Sequence, residues 1–160
     1  MVGLEDKARA FAKTGEAGSA NDALFIARWG TREWATLFSY GTVVKLPAGS
    51  TLIQQQERHR SLYFLISGRL EATASYGEQT LAPLRVVYPG SVVGEVAFFD
   101  AAPRSARVWA VDDCELLQLN IDDYARFAAE NLSLANELLF GLGRLLALRV
   151  RHLTVRATSN

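Results

Sequence analysis

Cysteine is nearly absent from this chain: Cys114 stands alone, so no internal disulfide and no thiolate metal cluster can form. Histidine is almost as scarce, with His59 and His152 only, too few for a site of three imidazole ligands. Net charge is missing as well. Seventeen Lys and Arg balance seventeen Asp and Glu, so the chain has no overall field to draw it onto DNA or an anionic membrane. The most apolar stretch, Leu138 to Val150, is interrupted by Arg144 and Arg149, and it falls short of the roughly 20 residues of a bilayer span. The first ten residues carry Glu5, Asp6, Lys7 and Arg9 in place of a signal peptide's apolar run. No G-x-x-x-x-G-K-[ST] phosphate loop occurs, and Gly141-Leu142-Gly143-Arg144 lacks the third glycine of a dinucleotide fingerprint. A zinc finger, a disulfide-stapled mini-protein and a His-rich metal barrel are excluded. A reduced, cytoplasmic setting without membrane insertion is expected.

What is present is one domain's worth of chain, 160 residues of which 49% are hydrophobic, enough for a full core. Its texture changes twice. Residues 1–33 read as an N-terminal helical segment, with a break at Gly15, Gly18 and Ser19 and a second helical pattern from Asn21 towards Trp29. Trp34, Leu37 and Phe38 then recur at i, i+3, i+4, the spacing of a short packed helix.

From about residue 41 to 119 short strands alternate with turns. Val43 to Leu46 stops at Pro47-Ala48-Gly49-Ser50, Leu62 to Ile66 stops at Ser67-Gly68, and Arg69 to Ser75 alternates. Gly77, Pro83, Pro89-Gly90 and Gly94 punctuate the middle of this zone, and Arg107–Val111 and Glu115–Leu119 flank an Asp112-Asp113 turn. Such spacing predicts an antiparallel sandwich or barrel. Beyond it Asn120 caps one helix and Ser133 a longer one, whose Leu138, Leu142, Leu145 and Leu146 form a stripe that Leu139 and Leu153 extend, reaching to about 156 before a tail of 157–160.

One stretch carries chemistry. Gly94 ends a strand and permits a sharp turn with the backbone close to a ligand. Val96 to Phe99 can then make a helical turn whose free N–H groups converge, and Arg104 comes next with a planar fork able to hold two oxygens of one phosphate. Glu95 is a poor phosphate ligand but a good acceptor for sugar hydroxyls. One arginine with backbone amides matches the single charge of a cyclic phosphodiester.

These residues, Gly94-Glu95-Val96-Ala97 with Pro103-Arg104-Ser105-Ala106, resemble the phosphate-binding cassette of the cyclic nucleotide-binding domain family. Leu46 to Ile53 is similar to that family's opening turn, and Leu62 to Leu70 to its first buried strand pair, so the likeness runs over about residues 34–153. The resemblance implies a mainly β fold with flanking helices. This is an antiparallel double-stranded β-helix, a jelly-roll-like β-roll, with N-terminal helices and C-terminal B- and C-type helices, the binding domain spanning 34–156. It implies a ligand set of Val93, Gly94, Glu95, Val96, Ala97, Arg104, Ser105 and Ala106, with Arg149 or His152 as a lid over the base. Glu95 would accept from the ribose 2′-hydroxyl and Arg104 would pair with the exocyclic oxygens. In that family threonine at the place of Ser105 often accompanies cyclic GMP and alanine cyclic AMP; serine leaves both open, with a lean to cyclic AMP.

Departures from the pattern are Gln54-Gln55-Gln56-Glu57, where the family has Gly-Asp or Gly-Glu in a turn expected to lie away from the cassette, and Phe98-Phe99, which could narrow the pocket or fill core. Trp109 is expected to pack under a helix, and Cys114 to be a buried small hydrophobe. No nucleophile–base pair and no metal set accompanies the cassette, so ligand binding without turnover, and no cofactor, is expected. With four residues after Arg156, no DNA-binding domain is expected either. A homodimer or a larger effector would be met through the C-terminal helix. The alternative is a degenerate β-roll that binds no nucleotide and serves as a docking or dimerisation module; two separated histidines oppose a cupin-like metalloenzyme.

Overall fold

The computed structural model describes residues 2–17, 23–24, 26–75 and 82–159. Two helices lead, α1 (Leu4–Ala17) and α2 (Thr31–Phe38). Eight strands come after them: β1 (Thr42–Leu46), β2 (Thr51–Ile53), β3 (Ser61–Ser67), β4 (Leu70–Ala74), β5 (Ala82–Val87), β6 (Val92–Val93), β7 (Arg107–Ala110) and β8 (Cys114–Asn120). The short helix α3 (Glu95–Asp100) interrupts them, and α4 (Ile121–Glu130) and α5 (Leu132–Thr158) close the chain. The strands form two antiparallel sheets, ordered β1-β8-β3-β6 and β2-β7-β4-β5. The expected fold, mainly β with flanking helices, is the observed one.

Strand β3 shows why its sequence is apolar throughout rather than alternating. Leu62, Phe64 and Ile66 face the helices and join Phe11, Trp34, Phe38, Phe127, Leu138 and Leu142 in one core. Tyr63 and Leu65 face the other way and meet Leu70, Ala72, Val108 and Leu116 between the sheets. A strand covered on both faces has no side to leave polar. The helical core is aromatic: Phe11 of α1 lies 4.7 Å from Trp34 and 5.8 Å from Phe64, edge to face. Lys7 of α1 is further ion-paired to Glu115 of β8.

Three local expectations are corrected. Helix α1 continues through Gly15, while Gly18, Ser19, Asn21 and the turn at Gly77 lie outside the described residues. The segment leading to Trp29 is turn rather than helix. There the amide of Leu24 donates to Gly90 O at 2.9 Å and the indole of Trp29 to Glu137 Oε2 at 2.7 Å, so tertiary partners hold the segment at both ends. The last helix starts at Leu132 behind Asn131, not Ser133. Asn131 closes α4 through its amide to Phe127 O at 2.8 Å while its side chain reaches Tyr40 Oη, so one residue ends one helix and begins the next. The Asn120 cap is as expected, its side chain accepting from Asp123 N at 2.8 Å. Cys114 is buried, as expected. Trp109 pairs with Thr51 and Glu71 on β7, half-buried, on the face opposite that of Val108.

Candidate functional site

The turn from β6 into α3 fixes the site. Gly94 has φ of +90°, and a Cβ there would lie 2.4 Å from Ser61 O and 2.8 Å from Arg104 Nη1. Only glycine lets the β6–α3 corner approach β3 this closely. The first bond inside α3 runs from Phe98 N to Gly94 O at 3.1 Å, which leaves the Val96 and Ala97 amides ahead of the helical ladder as donors. Phe98 buries against Tyr124 and Phe99 is partly exposed, so the pair fills core and surface and leaves the cavity open.

Arg104 is 2% exposed and held from both ends. Its backbone is clasped by the β2–β3 turn: Arg104 N donates to Glu57 O at 2.8 Å and Gln56 N to Arg104 O at 2.9 Å. Its guanidinium donates from Nη1 to Gly94 O at 2.8 Å and from Nη2 to Ser61 O at 2.8 Å, with His59 Nδ1 at 2.9 Å. Its Nε–H is buried and has no hydrogen-bond partner among the described residues. Burial lowers the Arg104 pKa from the ordinary arginine value, against the opposing pull of Tyr63, Glu95 and Glu57. The Gln54–Glu57 turn is therefore not away from the cassette. It braces the cassette's arginine, with Gln56 in a left-handed conformation at φ 74°.

Glu95, 4% exposed, ion-pairs with Arg149 Nη1 of α5 at 2.5 Å and with Arg85 Nη2 of β5 at 3.5 Å. Burial alone would raise its pKa, but the two guanidinium groups outweigh it and the carboxyl is held below the usual range. Arg149 also donates to Val92 O at 2.9 Å and to Ser91 Oγ at 3.1 Å. One charge network thus joins the cassette to both β5 and the C-terminal helix.

A cavity of about 510 Å³ lies between the second sheet, α3 and α5, a size that suits one small ligand. Val93, Gly94, Glu95, Val96, Ala97, Arg104, Ser105 and Ala106 all border it, and so do Arg149 and His152. Arg156, at the basic end of α5, also lines it, and so does Arg85, which sequence reasoning missed. Of the two lid candidates, Arg149 is paired with Glu95, while the exposed His152 sits with Val150 and Leu153 on the α5 wall. Apolar side chains such as Leu84, Val86 and Leu146 form the rest of the wall. Four arginines against one carboxylate make the lining, among the described residues, a place for an anion.

A β-roll with an arginine-rich cavity under its last helix is the architecture of a small-anion binding domain. The family model for the cyclic nucleotide-binding domain matches residues 43–131, more than half the chain, and the protein belongs to that family. Among curated relatives, a cAMP-dependent protein kinase regulatory subunit of Aspergillus fumigatus is 34% identical over 83 residues, 52% of this chain and 19% of its own. A cyclic AMP receptor protein of Thermus thermophilus is 36% identical over 81 residues, 49% of this chain and 36% of its own. The match thus covers well under half of either relative. A solved cyclic nucleotide-binding domain from Methylobacillus flagellatus superposes with a TM-score of 0.83 at 20% identity, over 98% of this chain and 85% of that one. The Thermus thermophilus catabolite activator protein superposes at 0.75 with 25% identity, over 85% and 62%.

Proposed function

We propose that this chain binds cyclic AMP in the cavity, without turning it over, and reports the ligand by moving α5. The observation that carries the reading is the buried Nε–H of Arg104, a charged donor without a partner among the described residues, on a side chain that lines the cavity. Leaving such a donor unmatched costs about 1–3 kcal/mol, and an equatorial phosphate oxygen would satisfy it. The Val96 and Ala97 amides supply further donors beside it. Glu95, kept ionised by Arg149 and Arg85, can only accept, which suits a ribose 2′-hydroxyl. The two curated relatives above are named for cyclic AMP, which supports adenine over guanine.

Signalling requires that the ligand favour one arrangement of α5 over another. Leu146, Arg149, His152 and Leu153 of that helix share the cavity wall with the cassette, so a ligand there touches both. Residues 34–156 form the binding unit in this reading, with 1–33 an appended helical segment. No helix among the described residues is long and apolar enough to cross a membrane; a cytoplasmic setting is part of the proposal. Phe140 and Val155 are 83% and 62% exposed on α5, which supports a second copy or a larger effector docking on that helix.

Calorimetric titration of the wild type and of Arg104→Ala with cyclic AMP and cyclic GMP tests the ligand. Losing charged hydrogen bonds worth about 1.5–3 kcal/mol should weaken cyclic AMP binding about ten- to a hundredfold. Equal heats from both proteins would refute the assignment, and tighter binding of cyclic GMP would overturn the choice of base.

A further inference from the structure

The partners of Arg104 include one titratable group. An arginine fork has five N–H donors and no acceptor. On Arg104, Nη2 gives one hydrogen to Ser61 O and the other to His59 Nδ1, and Nη1 gives one to Gly94 O. A donor-only partner forces Nδ1 to present its lone pair. The neutral ring must then carry its proton on Nε2, which lies 3.1 Å from Glu57 Oε2 and donates to it. Glu57, His59 and Arg104 thus form a directed chain running from solvent to the cavity wall. The imidazole is 34% exposed, open to protons from outside, and is not among the residues bordering the cavity.

We propose that His59 is a positioning residue for Arg104 that makes nucleotide affinity depend on pH: neutral, the ring seats the guanidinium, and protonated, it unseats it. The inference rests on the reading that the cavity holds a cyclic phosphate. A second proton would go onto Nδ1 and set an N–H against the Arg104 Nη2 at a distance of 2.9 Å, two cationic donors facing one another. Nε2 keeps its hydrogen bond to Glu57 Oε2 in either form, so only the Arg104 side of the ring changes. The charged groups facing the ring are Glu57 on its own loop and Arg104 from the segment before β7. Arg60, a near neighbour in sequence, is drawn away to Phe98 O at 2.6 Å. From the cavity side Tyr63 and Glu95 act on Arg104. Affinity falls with the fraction of molecules whose guanidinium is in place. Histidine is the side chain that ordinarily changes charge between about pH 5 and 8, while a cyclic phosphodiester keeps its single charge throughout.

The experiment measures cyclic AMP affinity calorimetrically between about pH 8 and pH 5.5 for the wild type, His59→Gln and His152→Gln, and reads the His59 tautomer by long-range proton–nitrogen NMR without ligand. Glutamine keeps an oxygen for Nη2 to donate to and cannot titrate. Wild-type affinity should fall by about tenfold on acidification, the equivalent of one hydrogen bond to a charged group. His59→Gln should flatten that profile, His152→Gln should keep it, and the ring should show its proton on Nε2. A flat or rising wild-type profile, a fall that persists in His59→Gln or vanishes in His152→Gln, or a proton found on Nδ1 would each overturn the inference while leaving the ligand assignment intact. Absence of cyclic AMP binding at every pH would sink the ligand assignment, and this inference with it.

Discussion

Replacing Arg149 by methionine should be among the most damaging single changes that leave the backbone untouched. Methionine keeps the length of the side chain and most of its apolar contact, so the effect isolates charge. Glu95 would stay 4% exposed with only Arg85, at 3.5 Å, to balance it. Breaking a buried pair by removing one partner costs about 3–5 kcal/mol, against a total of roughly 5–15 kcal/mol for a domain. Urea denaturation monitored by far-UV circular dichroism should therefore show a large drop in midpoint at neutral pH. The sign of the pH dependence is set by Glu95. In the wild type its folded pKa is lowered, so its stabilisation is present above the unfolded value of 4.5 and is lost as pH falls through the folded one. In Arg149→Met the main lowering partner is gone and burial penalises the ionised form, so acidification relieves the variant. The gap between the two proteins should narrow as pH drops towards and below about 4.5. Adding Glu95→Gln to Arg149→Met should restore most of the stability at pH 7. A single variant within about 0.5 kcal/mol of wild type, or a double variant no better than the single, would refute the view that these charges stabilise one another.

Backbone geometry sets two further outcomes. Gly94→Ala should cost at least ~2 kcal/mol and abolish nucleotide binding, because the new methyl group meets Ser61 O and the Arg104 guanidinium at a φ of +90°; an unchanged melting temperature would contradict this. Gln56→Gly should raise stability by about 0.5 kcal/mol, since relief of the left-handed strain at this exposed position exceeds the entropy that glycine adds to the unfolded chain. A lower denaturation midpoint would show that the Gln56 side chain holds its turn by contacts.

The cassette was legible because its chemistry is local. Gly94, Glu95 and Arg104 fall within eleven residues, and glycine, carboxylate and guanidinium each restrict what the others can do. The strands were legible from Pro and Gly punctuation, and the Asn120 cap from its own side-chain chemistry. What escaped was whatever depends on the chain returning to itself. Arg149 meets Glu95 from 54 positions away; the spacing of Leu138, Leu142 and Leu145 puts it on the buried stripe of α5, but helix periodicity does not name the partner it meets there. His59 and Glu57 escaped as site residues because the sequence does not reveal that the β2–β3 turn folds back on Arg104. Gln56 hid the shape of its turn by occupying a left-handed conformation that glycine would have announced. The stretch before Trp29 has helical spacing, yet bonds to Gly90 and Glu137 drew it into a turn.

The contact between Gly141 and the N-terminal turn gives α5 a fulcrum. A Cβ on Gly141 would lie 3.0 Å from the Ile26 side chain, and the Trp29 indole grips Glu137 one turn earlier, so the helix is pinned near its first third and faces the cavity from Leu146 onward. Leu153 stands twelve residues past that pivot, an arm of about 18 Å at 1.5 Å per residue, so a tilt of about 10° would sweep its tip through about 3 Å. If α5 moves as proposed, a seesaw so placed would convert a small adjustment beside Glu95 into a larger displacement at the end that carries the exposed Val155.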